Sequence, residues 1–466
     1  MELVNILPDF KGGFGDKRIE NRANIALGKL LMGRNSSIRG ITQTEAEQRS
    51  IYRLLDNPSF SEQSIERKIV ERCGALCKDR HVLCIQDTTE FNLSVSGKRL
   101  KKDSGTGDIS KTGIEGFLLH SSMVVDATKG TALGFSYIKN WHRPAERLYK
   151  DERQYQKQAI EQKESYKWIE ATMQSRQLLS EASSITIIAD RESDIYELIS
   201  VANNTGIDLV LRSRIDRVLS SGKMCTYLDS CPVMHSYDLL ITGDIRKGIE
   251  KRVARMDLKW GTVSIKKPKN TNNEDLPSMI TLQVVEAKEK RKKGIYWRLL
   301  TTHPVNNAAD ALRIIDWYKQ RWYIEQVHRL LKKDGFKIEN SQLGSGYGIR
   351  KLTLLAMLVA LRIIQMMLAY EDDTEQDISA IFDNQEQACL DQLNEKLQGT
   401  TENQCNPHKQ GTIKWGTWVV ARLGGWKGYK SQRKPGPVTL QKGLVKFYTI
   451  YEGWNLARQL KDVYTP

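Results

Sequence analysis

The sequence predicts a mixed α/β fold with helical regions at both ends, on three observations. Short apolar strands alternate with helical stretches from about residue 81 to residue 212, and aspartates stand where two of those strands finish. The rhythm breaks between residues 213 and about 300, where strand-like runs flank an exposed loop. Residues 1 to about 70 and 371 to 466 read instead as helical pieces.

In the N-terminal region, Asp16 to Leu31 places Ile19, Ala23, Ala26, Leu27 and Leu30 near one helical face. Pro58, Ser59 and Ser61 interrupt before a further helix at about 62 to 77. His81 to Gln86 is a short strand ending at Asp87, and Gly116 to Asp126 with Thr131 to Ile138 reads as a hairpin or adjacent strands. The polar run Asp151 to Leu179 reads as helix. Ile185 to Ala189 is an apolar strand ending at Asp190; helix is expected from Glu192 to Val201 and strand from Asp208 to Arg212. Thr281 to Glu286 and Tyr296 to Thr301 are the strands expected inside the β-rich insertion, separated from what precedes them by KKPKNTNNEDLP. Helices resume at about 307 to 333 and 350 to 370.

A chain of 466 residues exceeds what one core usually supports, so several domains are expected. The divisions read from the pattern are a helical segment at 1–70, a catalytic α/β region at 71–370 with its insertion at about 213–303, and a helical segment at 371–466. The formal charge of +15 and pI near 9.3 suit a long anionic partner. The insertion contributes: residues 241 to 300 hold 15 basic and 7 acidic side chains. MELVNILPDF has no basic start followed by an apolar run, so no signal peptide is expected. Leu352 to Leu368 contains Arg362 and Gln365 and reads as a buried helix rather than a membrane span. Seven scattered cysteines fit a reducing compartment, and Cys73 and Cys77 lack the further ligands a zinc site needs.

The chemistry concentrates in YKQRWYIEQVHRLLK. Read as one helix, the steps of three, four and seven put Tyr318, Arg321, Glu325 and Lys332 on a single face. A carboxylate between two cations and a phenol suits a face that holds a metal ion beside a phosphate backbone. Arg321 has the fork geometry for a phosphate, Lys332 the point charge, Tyr318 a hydroxyl donor. His328 faces the same broad side, although a histidine bonded within the protein explains it as well. Asp87 in LCIQDTTEF and Asp190 in TIIADRESD both follow apolar strands. Each alone is equally a turn or helix cap. With Glu325 they make three carboxylates that would repel unless divalent cations neutralised them, and magnesium or manganese fits oxygen ligands on a phosphate substrate. Two such ions would sit about 4 Å apart. Asp194 is the competitor of Asp190 and reads as a supporting group or cap.

These residues carry a resemblance. Tyr318, Arg321, Glu325 and Lys332 reproduce without a gap the Y-x2-R-x3-E-x6-K signature of the DDE-type transposases of bacterial insertion sequences, in particular the transposon-five group. IQDTT at 85–89 resembles the segment holding that family's first catalytic acid, and ADRESDI at 189–195 the segment holding its second. FGD-x-R at 14–18 and ARLGGW at 421–426 extend the likeness along most of the chain. The resemblance implies a ribonuclease-H-like core with a β-rich insertion, and catalysis by Asp87, Asp190 and Glu325 with two Mg2+ ions, replaceable by Mn2+. It implies cut-and-paste transposition: nicking at an element end, hairpin formation and opening, and strand transfer into target DNA.

By position it further implies that Trp297 receives a base flipped from the duplex. Arg212 and Arg214 would hold DNA near the cleavage point, and Asp16, Arg18, Arg22 and, more weakly, Arg53 would recognise the end. The partners implied are double-stranded transposon-end and target DNA and a second copy of the chain, dimerised through its C-terminal region. No membrane is implied; the setting is the bacterial cytoplasm, at the nucleoid. Tyr323 and Leu331 stand where a family relative carries arginine and tryptophan. Two other accounts fit parts of the pattern: a nuclease of the same fold that does not join strands, and a non-catalytic DNA-binding regulator of transposition.

Overall fold

The computed structural model describes residues 7–464 apart from 34–36, 95–99, 102, 110–113, 144–157, 242–249, 270, 272, 292–293, 372–374 and 430–431. The chain divides into two compact units, each discontinuous in sequence. One comprises residues 1–78, 88–147 and 323–466; the other comprises 79–87 and 148–322.

The first unit holds the N- and C-terminal helices and the strands β2 (Gly107–Asp108), β3 (Glu115–Asp126) and β4 (Ala132–Trp141), together with the end of β1 (His81–Asn92). β3 lies between β1 and β2, and β4 pairs antiparallel to β3 across two register shifts. The first helix, Lys17–Met32, buries the five apolar residues its periodicity singles out: Ile19, Ala23, Ala26, Leu27 and Leu30. The helix Glu62–Leu76 begins at Ser61, whose hydroxyl accepts from the Ser64 amide at 3.1 Å. It packs on β4 where Gly134 leaves room: a Cβ there would lie 2.6 Å from that of Cys73. Cys73 and Cys77 are both buried, with sulfurs 4.0 Å apart.

The centre of this unit is the helix Gly346–Glu371, buried along nearly its whole length. Among the described residues it is the one helix long and apolar enough to cross a membrane, and that apolar stretch lies wholly inside the protein. Two charged residues near its start are hydrogen-bonded. Arg350 donates from Nε to Glu62 at 2.9 Å and also reaches the carbonyls of Gly105 and Asn140. Lys351 donates to the carbonyls of Leu55 and Asn57. The C-terminal helices Asn384–Leu397, Ile413–Leu423 and Pro437–Tyr464 complete the unit.

The second unit is built on one sheet. From the first residues of β1 it runs through β5 (Ser184–Ala189) to β6 (Asp208–Arg212), these three strands running parallel. The strands after β6 are β7 (Val218–Leu219), β8 (Gly222–Lys223), β9 (His235–Ile241), β10 (Arg252–Lys266), β11 (Met279–Glu289) and β12 (Tyr296–Thr301). β12 pairs antiparallel with β6, and the order continues β11, β10, β7, β8, with β9 on the side of β10. The β-rich insertion therefore extends the parallel strands instead of forming a separate layer. The mixed sheet flanked by N- and C-terminal helices is the ribonuclease-H-like architecture.

Four local expectations change. The strand expected to end at Asp87 runs on to Asn92, so Asp87 lies within β1. The predicted helix from Glu192 is a 3-10 turn, Arg191–Ser193, followed by a helix only from Tyr196 to Thr205; Asp194 turns inward between them and interrupts the helix. Of Asp151 to Leu179, residues 151–157 lie outside the described residues, and the α-helix spans only Tyr166–Leu178. The stretch expected as one helix from about 307 to 333 is three pieces: Ala308–Lys319, Trp322–Arg329 and a π-helical turn Leu330–Asp334.

Candidate active site

The two aspartates follow paired positions of two parallel strands. β1 and β5 pair up to Ile85↔Ile188, and Asp87 and Asp190 each come two residues later along their chains. β5 and β6 pair as Ala189↔Leu211, which sets Asp190 level with Arg212. β6 and β12 pair up to Leu299↔Arg212, and the Ser213 amide still donates to the Arg298 carbonyl, so Arg214 leaves the sheet beside the strand that carries Trp297. One end of the sheet thus carries, strand by strand, two acids, two arginines and an indole.

Asp87 and Asp190 are both half-buried. Asp190 caps the 3-10 turn: its Oδ1 accepts from the Glu192 amide at 2.9 Å, and its carbonyl accepts from the Ser193 hydroxyl at 2.7 Å. Its second oxygen has no part in that cap. A carboxylate within β1 and another just past the end of β5 are hard oxygen donors of the kind Mg2+ or Mn2+ takes. Among the described residues, no set of three or more His, Cys, Asp and Glu side chains is arranged to hold a metal ion; the aspartate pair is what the sheet itself provides.

Asp194, next after this turn, is buried and strongly held. Arg217 donates to it from both Nε (2.9 Å) and Nη2, and the Arg214 amide donates to its Oδ2 at 2.7 Å. It is thus a structural carboxylate, which agrees with its reading as a supporting group. Arg217 was not singled out from sequence. Its only signal was a third arginine in LRSRIDR, beside two that stand on the strand end.

On the insertion side, Arg212 donates from Nη2 to the Tyr296 carbonyl at 2.9 Å, while Arg214 is exposed. Trp297 is half-buried, opposite Ala287 in the sheet, and lies edge-on to Tyr318 at 6.2 Å between centroids. Arg321 stands over the Tyr318 ring, 5.9 Å from its centre. Tyr318 is buried, and among the described residues its hydroxyl has no hydrogen-bond partner.

The continuous helical stripe is not what forms. Gln320 and Arg321 turn back onto the carbonyls of Trp317 and Tyr318, ending the first helix at Lys319. Glu325 lies in the next helix and Lys332 in the π-helical turn, so no single helical face carries all four residues. The two compact units also meet in sequence inside the motif, between Trp322 and Tyr323. Within its own unit Glu325 is half-buried, His328 is buried, and the Lys332 ammonium stands 5.5 Å from the centre of the Phe91 ring. Tyr323 donates its hydroxyl to Glu371 at 2.8 Å, anchoring the start of the Glu325 helix to the end of the long buried helix.

Of the end-recognition set, Asp16 caps the first helix, accepting from the Arg18 amide at 2.8 Å. That backbone hydrogen bond, the largest cause, holds its carboxyl below the usual range. Arg18, Arg22 and Arg53 are exposed.

Residues 169–361 match a family model described as the transposase DDE domain. The match covers less than half of the chain. It takes in Asp190, Arg212, Arg214, Trp297, Tyr318, Arg321, Glu325 and Lys332, and it begins after Asp87. It also covers β5 and β6, the insertion and both pieces of the motif helix. Over residues 169–361, then, the chain is similar to the DDE domain of transposases.

Proposed function

We propose that this protein is a cut-and-paste DNA transposase with Asp87, Asp190 and Glu325 as its three catalytic acids. The pairing of β1 with β5 supports the proposal, because Asp87, outside the matched domain, and Asp190, inside it, each follow the last paired residues by two positions. The three carboxylates would hold Mg2+ or Mn2+, two ions per site, and the bound metal would supply charge neutralisation at the scissile phosphate. Arg212, Arg214, Arg321 and Lys332 bind the DNA backbone, and Tyr318 donates its buried hydroxyl to a phosphate oxygen. Trp297 offers an aromatic plate to an unstacked base beside the cut.

In the reaction, water attacks phosphorus at the element end and frees a 3'-hydroxyl. That hydroxyl attacks the opposite strand, closing a hairpin as the flanking strand leaves. A second hydrolysis opens the hairpin, and the 3'-hydroxyls then attack target DNA. Each step forms one phosphorus–oxygen bond and breaks one. Asp16, Arg18, Arg22 and Arg53 in residues 1–70 read the end, with Asp16 acting through its cap, and residues 371–466 dimerise the chain. His328 is left to helix packing, since it is buried.

The experiment is cleavage of the element's own end in Mg2+ by Asp87→Ala, Asp190→Ala and Glu325→Ala. Each variant should fold and lose at least ~100-fold in rate. Normal cutting by all three defeats the proposal. A wild-type product ladder without a closed-end species would reduce the protein to a nuclease.

A further inference from the structure

We infer that Asp194 and Arg217 are positioning residues that hold the DNA-gripping arginines in register with Asp190. The inference rests on the reading of Arg214 as a phosphate contact. Asp194 ends the 3-10 turn that Asp190 begins, and its amide donates to the Arg191 carbonyl at 3.4 Å. Its carboxylate crosses to the segment after β6. There Oδ2 accepts from the amides of Arg214 (2.7 Å) and Ile215 (3.4 Å) and from the Ser213 hydroxyl (3.3 Å). Arg217 closes the loop, its guanidinium donating to the Asp194 carboxylate and, at 3.1 Å, to the Asp194 carbonyl.

The charges of this pair are withdrawn from water, with the two side chains 0% and 3% exposed. A buried ion pair of this kind is weak support for stability, because desolvation offsets the attraction. What it does provide is geometry. One carboxylate satisfies two successive backbone amides and a hydroxyl on one turn while belonging covalently to the other. Arg214 is thereby fixed through its own amide while its side chain stays exposed. A hydrophobic pair would fill the same space without specifying where the Arg214 side chain emerges relative to Asp190.

The test is binding of a fluorescein-labelled mixed-sequence DNA duplex to the full chain over a KCl series. Arg214→Ala should flatten the slope of log affinity against log salt by about 0.9, the loss of one phosphate contact. Asp194→Asn should flatten it by the same amount with Arg214 still present, and adding Arg214→Ala to it should change little more. Because Asp194→Asn leaves a buried arginine without its counter-charge, the pair variant Asp194→Asn/Arg217→Gln is measured beside it. A purely structural pair would lower the melting temperature and leave the slope as in wild type; that result, or unfolding of both variants, overturns the inference. A silent Arg214→Ala instead overturns the DNA-contact reading and takes the inference with it. Full additivity of Asp194→Asn and Arg214→Ala refutes the positioning role alone.

Discussion

Glu66→Gln should stabilise this protein at alkaline pH and do nothing in acid. Glu66 lies one turn after Glu62 on the helix Glu62–Leu76, so the two carboxylates are i,i+4 neighbours. Arg350 spends its fork on Glu62 and two carbonyls, and Asn140 adds a hydrogen bond to Glu62 at 3.2 Å. Glu66 is left with burial, the largest effect, and the like charge of Glu62. Together they push its carboxyl up to about 7 from an ordinary 4.5. An acid whose folded value is raised stabilises the fold fully below its unfolded value, and that contribution disappears as pH rises through the folded one. At 1.36 kcal/mol per pH unit the shift sets a ceiling of about 3 kcal/mol at pH 8. Glutamine imitates the protonated acid. Urea unfolding of the two proteins should therefore coincide at pH 4 and separate steadily above pH 5, with the variant more stable by up to that amount at pH 8. A gap that does not grow with pH, or a less stable variant at pH 8, refutes the reasoning.

Arg350→Met should cost about 3–5 kcal/mol, because it leaves the Glu62 carboxylate buried without its cation; the same urea series measures it, and a loss below about 1 kcal/mol would show that water takes the cation's place. In the second unit, His81 and His303 both place Nε2 2.8 Å from the Thr186 hydroxyl. Burial, chiefly, holds His303 below its ordinary 6.5, so below that pH the unfolded chain takes up a proton the folded one resists. Stability should fall as pH drops from 6.5, and His303→Gln should flatten that fall; an unchanged acid limb in the variant would remove His303 as its source.

Much of the architecture was legible because strand and helix periods are local. β6 and β12 begin and end where the apolar runs do, and the first helix buries the face its spacing marks. β10 was not legible. Its burial alternates through Ala254, Met256 and Leu258, but Arg252, Arg255 and Asp257 between them make the segment read as a charged run. The motif helix failed for the opposite reason. Its residues all favour helix, and nothing in their order announces that Gln320 and Arg321 will fold back onto the preceding turn. Asp190 was readable as an acid just past an apolar strand, whereas Asp87, read at a strand end, lies within β1. Asp194 was read as a supporting group or cap, and its burial against Arg217 supplies the physical basis for that reading.

The sequence by itself determined the kinds of elements, their order, and the acids, arginines and aromatics available for chemistry, since these depend on neighbours within a few positions. The tertiary structure decided which of them stand level with one another. Strand pairing joins residues a hundred positions apart, and a period of two is the same whichever partner and register a strand takes. The pairing Ile85↔Ile188, two residues before Asp87 and Asp190, is written in no local pattern.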